Sequence, residues 1–242
     1  MRIALCLIVL ALCGCKSISS IRAPEASGGN RGYIVGGSRV VAPVPVVADD
    51  FDSLIRAAQS AASVAENDSQ PDKRREAAKR GIIAARKARE LKMDRVEGHY
   101  WYAINTGFLA DVDRSYGLNA VAEMEPALKR AGEIDERYDY AGPLRVLGIL
   151  LLRTPAPPVS IGSPRKGLRL LQRTVELFPD YPENYIYLGE ALRETGRADE
   201  AKAAWQKVLT LRAPADRQSE AERWLKQAQT LLEKIAAGGS SR

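Results

Sequence analysis

Cysteine and histidine are scarce in this 242-residue chain, and their positions remove whole classes of chemistry. The three cysteines, Cys6, Cys13 and Cys15, all precede Lys16. Everything after them therefore lacks an internal disulfide, a thiolate metal site and a cysteine nucleophile. A single histidine, His99, excludes the HExxH zinc motif and any multi-histidine metal site. There is no phosphate-binding GxxxxGKS/T loop and no GxSxG nucleophile elbow, and the glycine pairs Gly28-Gly29 and Gly36-Gly37 make no GxGxxG fingerprint. The apolar run Ile3 to Leu12 is too short to cross a bilayer. A strong excess of one charge is also missing. The balance of 36 Lys and Arg against 30 Asp and Glu leaves +6, too modest for this length to argue for nucleic acid. The adjacent carboxylates Asp111/Asp113, Glu123/Glu125 and Asp135/Glu136 diverge in direction on a helix, which suits solvated faces better than an acid/base pair. The chain reads as a non-enzyme.

What is present begins with the leader. Arg2 supplies a positive start, the apolar run follows, and Leu12-Cys13-Gly14-Cys15 closes it. This ending resembles the lipobox of bacterial lipoproteins. The resemblance implies cleavage before Cys15, a diacylglycerol thioether on Cys15 and acylation of the new amine, leaving a protein whose only non-protein group is that covalent lipid. Two or three acyl chains anchor stably where one is marginal. Lys16 stands where an Asp marks inner-membrane retention in enteric bacteria, so the implied location is the periplasmic face of the envelope, the outer membrane favoured over the inner. Residues 15–49, rich in Ser, Gly, Pro and Val, read as a disordered tether that reaches roughly 30 Å.

From Asp50 the pattern turns helical and stays so, with apolar residues at three- and four-residue spacing and Gly or Pro at the breaks. The spacing predicts helices over 50–66, 71–92, 96–112, 118–138, 142–153, 164–178, 182–195, 198–212 and 216–236, with 237–242 a disordered tail. Pro126, lacking an N–H, predicts a restart inside the fourth.

Pro182 to Pro214 resembles one tetratricopeptide repeat: Tyr185, Leu188, Gly189 and Leu192 on the first helix, Gly196 at the turn, and Ala201, Trp205 and Val208 on the second. Leu144, Leu147, Gly148 and Leu151, then Gly167, Leu171, Thr174 and Pro179, repeat the motif upstream. Gly148 to Gly189 spans 41 residues, longer than the 34-residue period, which locates an insertion at Thr154 to Gly162. Ala127, Ala131 and Ile134 suit another second helix, and Gly81, Ala85 and Ala88 the earliest. The expected fold is all-α, a tetratricopeptide-repeat-like superhelix of about four antiparallel helical pairs with a C-terminal capping helix.

The segments HYWYAINTG, ALKRAGEIDERYDYAGPLRVLGILLLRTP and SIGSPRKGLRLLQRTVELFPDYPEN resemble the T-component lipoproteins of tripartite ATP-independent periplasmic (TRAP) transporters. That resemblance implies a transport accessory that docks a periplasmic solute-binding protein. An outer-membrane assembly or envelope-maintenance adaptor that captures extended peptides is the alternative; an envelope hydrolase is the remaining class.

Three features suit binding. The run His99, Tyr100, Trp101 and Tyr102, with Asn105 and Phe108, carries too many rings in succession for all to face one core, so at least one or two are expected in a groove or an interface, a groove being favoured for the run as a whole, while core packing explains each residue singly. The inner surface of such superhelices is lined by positions two, five, nine and twelve of each first helix, which gives Gly142, Arg145, Ile149 and Leu152, then Glu183, Ile186, Glu190 and Arg193. That mixture suits a peptide with an acidic group or an amphipathic small molecule. The apolar members suit contact with the next repeat equally well. Last, Lys73, Arg74, Arg75, Lys79, Arg80, Arg86, Lys87, Arg89 and Lys92 spread around one helix and read as a solvated outer face, with lipid phosphates or an acidic partner as the sharper alternative. Possible partners are thus a protein and the membrane, with a homo-oligomer left open.

Overall fold

Asp50 starts the helical region by capping it. Its carboxylate accepts the Ser53 amide at 2.9 Å and the Ser53 hydroxyl at 2.7 Å, satisfying one of the donors a helix start leaves open. The computed structural model describes residues 50–239; the leader, Cys15, the tether and the last three residues lie outside the described residues. The helices are α1 (Phe51–Asn67), α2 (Pro71–Leu91), α3 (Val96–Val112), α4 (Gly117–Ile134), α5 (Tyr138–Arg153), α6 (Pro164–Leu177), α7 (Pro182–Glu194), α8 (Ala198–Thr210) and α9 (Ala221–Gly239). Among the described residues there is no strand, and no helix is long and apolar enough to cross a membrane.

Each odd helix packs on the even helix that follows it, and successive pairs stack through α1 on α3, α4 on α5, α6 on α7 and α8 on α9. Four antiparallel pairs and a closing helix form a tetratricopeptide-repeat-like superhelix, held by one continuous core. The first pair closes on alanine: Ala58, Ala65, Ala77, Ala78, Ala85 and Ala88 are all fully buried, which lets two backbones approach. In the third pair Gly148 meets Gly167 and Leu171, where an added Cβ would sit 2.8 Å from Leu171 Cγ. In the fourth, Gly189 lies under the Trp205 indole, whose Nε1 donates to the Ile186 carbonyl at 3.0 Å. Gly196, at φ 81°, closes α7: its amide donates to Arg193 O, and the Arg197 amide to Leu192 O at 2.9 Å.

The fourth helix, expected to reach residue 138, stops at Ile134, where Asp135 turns extended at φ −154° and ψ 99°. Two further departures from the predicted elements have physical causes. Pro126 does not restart α4, which runs unbroken through it. The helix is fastened on both sides of the proline by buried Val121, Met124, Ala127, Leu128 and Ala131, and Pro126 and Ala122 face solvent, where water can take the carbonyl that loses its donor. The start of α5 is the larger departure. Asp139, Tyr140 and Ala141 are left-handed in succession, at φ 49°, 55° and 64°, so the right-handed helix begins at Gly142 as the spacing predicts. At roughly 1–2 kcal/mol for each residue, this turn persists only if other contacts hold it. α9 also runs on to Gly239, past the expected end at residue 236.

Candidate functional site

The contacts that hold the left-handed turn converge on Arg145. Its Nη1 donates to the Tyr140 carbonyl at 2.9 Å and to Asn184 Oδ1 at 3.0 Å, and its Nη2 donates to the Asp139 carbonyl at 3.3 Å. Asn184 Nδ2 completes the clamp, donating to the carbonyls of Tyr140 at 3.3 Å and Thr174 at 3.1 Å. The guanidinium is only 1% exposed and faces two carboxylates, Glu183 Oε2 at 3.3 Å from Nε and Asp139 Oδ2 at 3.6 Å from Nη2. Burial alone disfavours its charged form, but Glu183 and the surrounding acidic groups outweigh it and hold Arg145 above the ordinary arginine value.

Around this centre the N-terminal ends of α3, α5, α7 and α9 meet. Tyr100 donates its hydroxyl to Asp139 Oδ2 at 2.5 Å, and burial pushes its phenol well above the usual range, reinforced by the Asp139 charge. Arg217, in the short 3₁₀ turn before α9 (Ala215–Glu220), binds Asp139 Oδ1 at 2.5 Å. Tyr140 stacks flat on Tyr181 with centroids 4.2 Å apart, Tyr181 meets Trp224 edge-on, and Tyr140 donates to Asp216 at 2.7 Å. Glu183 lies in the first turn of α7, where the helix dipole favours negative charge, and Asp139 lies in the left-handed turn just ahead of the right-handed part of α5. Three other buried atoms of this junction have no hydrogen-bond partner among the described residues: Glu183 Oε1, Arg217 Nε and Trp224 Nε1. The outer edge, Tyr140, Asp216 and Arg217, reaches solvent.

Asn184→Ala removes one of the two acceptors of Arg145 Nη1 and one of the two donors to each of the Tyr140 and Thr174 carbonyls, which keep Arg145 Nη1 and the Phe178 amide. It is expected to destabilise the fold by about 1–3 kcal/mol, read as a lower urea midpoint at unchanged slope; an unchanged midpoint would mean that Arg145 alone holds the turn.

Most of the residues expected on an open inner face are inside the molecule. Tyr100, Asn105, Arg145, Ile149 and Ile186 are buried, which corrects the expectation that they line a groove. Spacing along a helix assigns its sides, but not how closely the next pair covers each side, and here the pairs stack tightly. Asn105 shows the consequence. Its Nδ2 donates to the Ala58 carbonyl at 3.1 Å and to Trp101 O at 2.9 Å, which joins the first pair to the second. In the ring cluster His99, Tyr100, Tyr102 and Phe108 are all buried, because α1, α2, α4 and α5 pack around α3. His99 bonds the Met93 carbonyl at 3.0 Å, and burial pushes its pKa down. Trp101 alone is half-buried, donating to the Tyr138 hydroxyl at 3.0 Å. Burial pushes the Tyr138 phenol up to about 12.

Leu152 is half-buried against the core, Glu190 pairs with Arg153 at 2.7 Å, and Arg193 is exposed beside Glu194 at 2.9 Å. The structure brings Tyr100 and Arg145 together but leaves Arg193 at the far end of α7. Sequence reading missed Asp139, Asn184, Arg217 and Trp224. The available signal was an acidic residue at the start of successive inner helices, Asp139 and then Glu183.

A separate open groove of about 510 Å³ runs between α4 and the insertion, lined by Leu118, Val121, Pro126, Val159 and Ile161, with the Glu125–Lys129 ion pair at its rim. Among the described residues no group of three or more His, Cys, Asp or Glu is placed to hold a metal ion.

No family model and no curated protein sequence matches the chain. Among solved structures it is similar to one titled a crystal structure of MamA protein, at 17% identity and TM-score 0.45, covering 72% of this chain and 76% of that one. A second structure of MamA has 20% identity and TM-score 0.43, covering 71% of this chain and 99% of that one. A thermophilic TPR protein of Thermus thermophilus, TTC0263, has 19% identity and TM-score 0.48 over 73% of this chain and 90% of that one.

Proposed function

We propose that this protein is a membrane-tethered scaffold that binds protein partners, acting as an accessory of a TRAP-type transport system by docking a periplasmic solute-binding protein. The observation that carries the binding role is the junction of α5, α7 and α9. Its solvent edge is formed by Tyr140, Asp216 and Arg217, and behind that edge Glu183 Oε1 and Trp224 Nε1 have no hydrogen-bond partner among the described residues, while Arg217 Nε has only Asp216 Oδ2 at 3.6 Å. A polypeptide brings N–H and C=O groups together, which matches such a set, and the aromatic edge supplies contact area with few rotatable bonds. The tether and transport roles are supported by the lipobox-like ending at Cys15 and by the resemblance of three segments to the T-component lipoproteins.

Two measurements test the parts separately. Cys15→Ser is expected to release the protein from membranes or block its processing, and unchanged lipid labelling would refute the anchor. Crosslinking in cells is expected to recover a solute-binding protein, with the yield reduced by Tyr140→Ala and by Arg217→Ala at unchanged helix content. Recovery of outer-membrane proteins alone would replace the transport role with that of an envelope adaptor.

A further inference from the structure

We infer that the outward face of α2 docks on an anionic phospholipid surface, with Lys73, Lys79 and Arg80 against lipid phosphates and Ile83 and Leu91 reaching into the headgroup layer. α2 carries eight Lys and Arg against three Asp and Glu, a net +5 in a chain whose total is +6. Nearly all of the protein's charge excess lies on this one helix.

The structure sorts that charge by direction. Arg74 turns inward to Asp111 at 2.6 Å and to the Ala65 carbonyl at 2.7 Å, while Arg86 and Arg89 lie over the Tyr102 ring. Arg75 stays with Asp72 at 2.5 Å. Lys73, Lys79 and Arg80 are exposed on the opposite side, with Lys79 also 3.3 Å from Glu76; Lys87, which is engaged with a partner, and the carboxylates of Glu76 and Glu90 are exposed on the same side. Surface pairs of that kind are weak enough to exchange for a phosphate. Between these cations, at helical spacing, stand Ile83 at 57% exposed and Leu91 at 56%, with Met93 at 72% just past the helix end. Apolar tips alternating with cations along about 30 Å of helix suit a surface that is itself charged outside and apolar beneath. A protein partner fits this face less well, because interface cores are depleted in lysine and built around aromatics, and the outward face of α2 has no aromatic.

The position of the helix agrees. α1 and α2 are the first pair after the N-terminal segment and so the pair nearest in sequence to any anchor at Cys15. The inference itself rests on the surface of α2 and stands without the anchor. With the anchor, it would supply the second of the two signals that stable membrane attachment requires.

The test uses the lipid-free chain from Lys16 to Arg242 in co-sedimentation with vesicles. The chain is expected to pellet with phosphatidylcholine vesicles containing phosphatidylglycerol at low salt, to stay in solution with pure phosphatidylcholine, and to be released near 0.5 M salt. Each cation removed is expected to weaken partitioning roughly fivefold, so Lys73→Glu/Lys79→Glu/Arg80→Glu loses at least about a hundredfold at unchanged helix content. Ile83→Ser, a milder change on the same face, is expected to weaken binding to anionic vesicles without altering its salt dependence. It also serves if the triple variant does not fold. Equal binding to both vesicle types, no vesicle binding, or full binding by the variants overturns the inference. Capture of an acidic protein that the triple variant loses, without vesicle binding, assigns the face to a protein instead. Because the chain tested carries no lipid, its result is independent of the Cys15 experiment.

Discussion

Arg145→Met is expected to cost about 3–5 kcal/mol of stability, equivalent for a domain of this size to a fall of about 6–20 °C in melting temperature. The residue is 1% exposed and faces Asp139 and Glu183, so its removal leaves buried carboxylates without their counter-ion, and that penalty exceeds the loss of any single contact. It also withdraws donors from the carbonyls of Asp139 and Tyr140, which belong to three consecutive left-handed residues held against their own preference. Arg145→Lys keeps the charge but not the planar fork, and is expected to fall between the two. Because the damage is an unpaired charge, Arg145→Met combined with Glu183→Leu is expected to be less destabilised than the sum of the two single variants, by a coupling of about 1–3 kcal/mol. Additive effects in that cycle would show that the cluster contributes by shape and not by charge. Thermal melts followed by circular dichroism supply the comparison.

Gly189→Leu is expected to unfold the C-terminal end of the array selectively. A Cβ at this position would lie 2.2 Å from Trp205 Nε1 and 2.6 Å from Cε2, too close for any real contact. The ring cannot step aside cheaply, because Trp205 is fully buried and its Nε1 is bonded to Ile186 O. Overpacking of this kind typically costs about 1–3 kcal/mol, and a side chain beyond Cβ adds to it. Since the pairs pack mainly on their neighbours, and the turn before α9 reaches back only as far as Asp139 and Tyr140 at the start of α5, the loss concentrates in α7, α8 and α9, while α1 to α4 keep their packing. Amide exchange should therefore accelerate in α7 and α8 at temperatures where α2 and α3 remain protected, and Gly189→Ala should show a smaller form of the same pattern. Uniform loss of protection along the chain would mean that the array melts as one unit.

These two positions also mark where sequence reading works and where it stops. Gly189 and Trp205 were legible because helix pairing is local: their spacing within one repeat places small against large, and no distant segment is needed to interpret it. The helix bounds were legible for the same reason, with Pro164 and Pro182 at first turns and Gly196 at a turn. Arg145 could be placed on a side of its helix but was misread as open to solvent. Its burial depends on Glu183 and Asn184, 38 and 39 residues later, and on how closely the fourth pair closes over the third. The ring run at 99–102 was legible only in part, because α1, α2, α4 and α5 cover most of α3 and leave Trp101 as its one half-buried ring.

The sequence by itself determined an all-helical chain, the number and order of its helical pairs, the close crossings at glycine, and the concentration of positive charge on α2. All of these arise from periodicity and side-chain size within a few tens of residues. Only the tertiary structure decided which charges are used internally and which remain outside. Arg145, Asp139, Glu183 and Arg217 come together from α5, α7 and the turn before α9, and the strained turn at 139–141 is stable only because they do. On α2, the same packing turned Arg74, Arg86 and Arg89 toward partners and left Lys73, Lys79 and Arg80 facing solvent. The energy of a charge depends on what surrounds it in space, and that is set by the stacking of pairs and not by position along the chain.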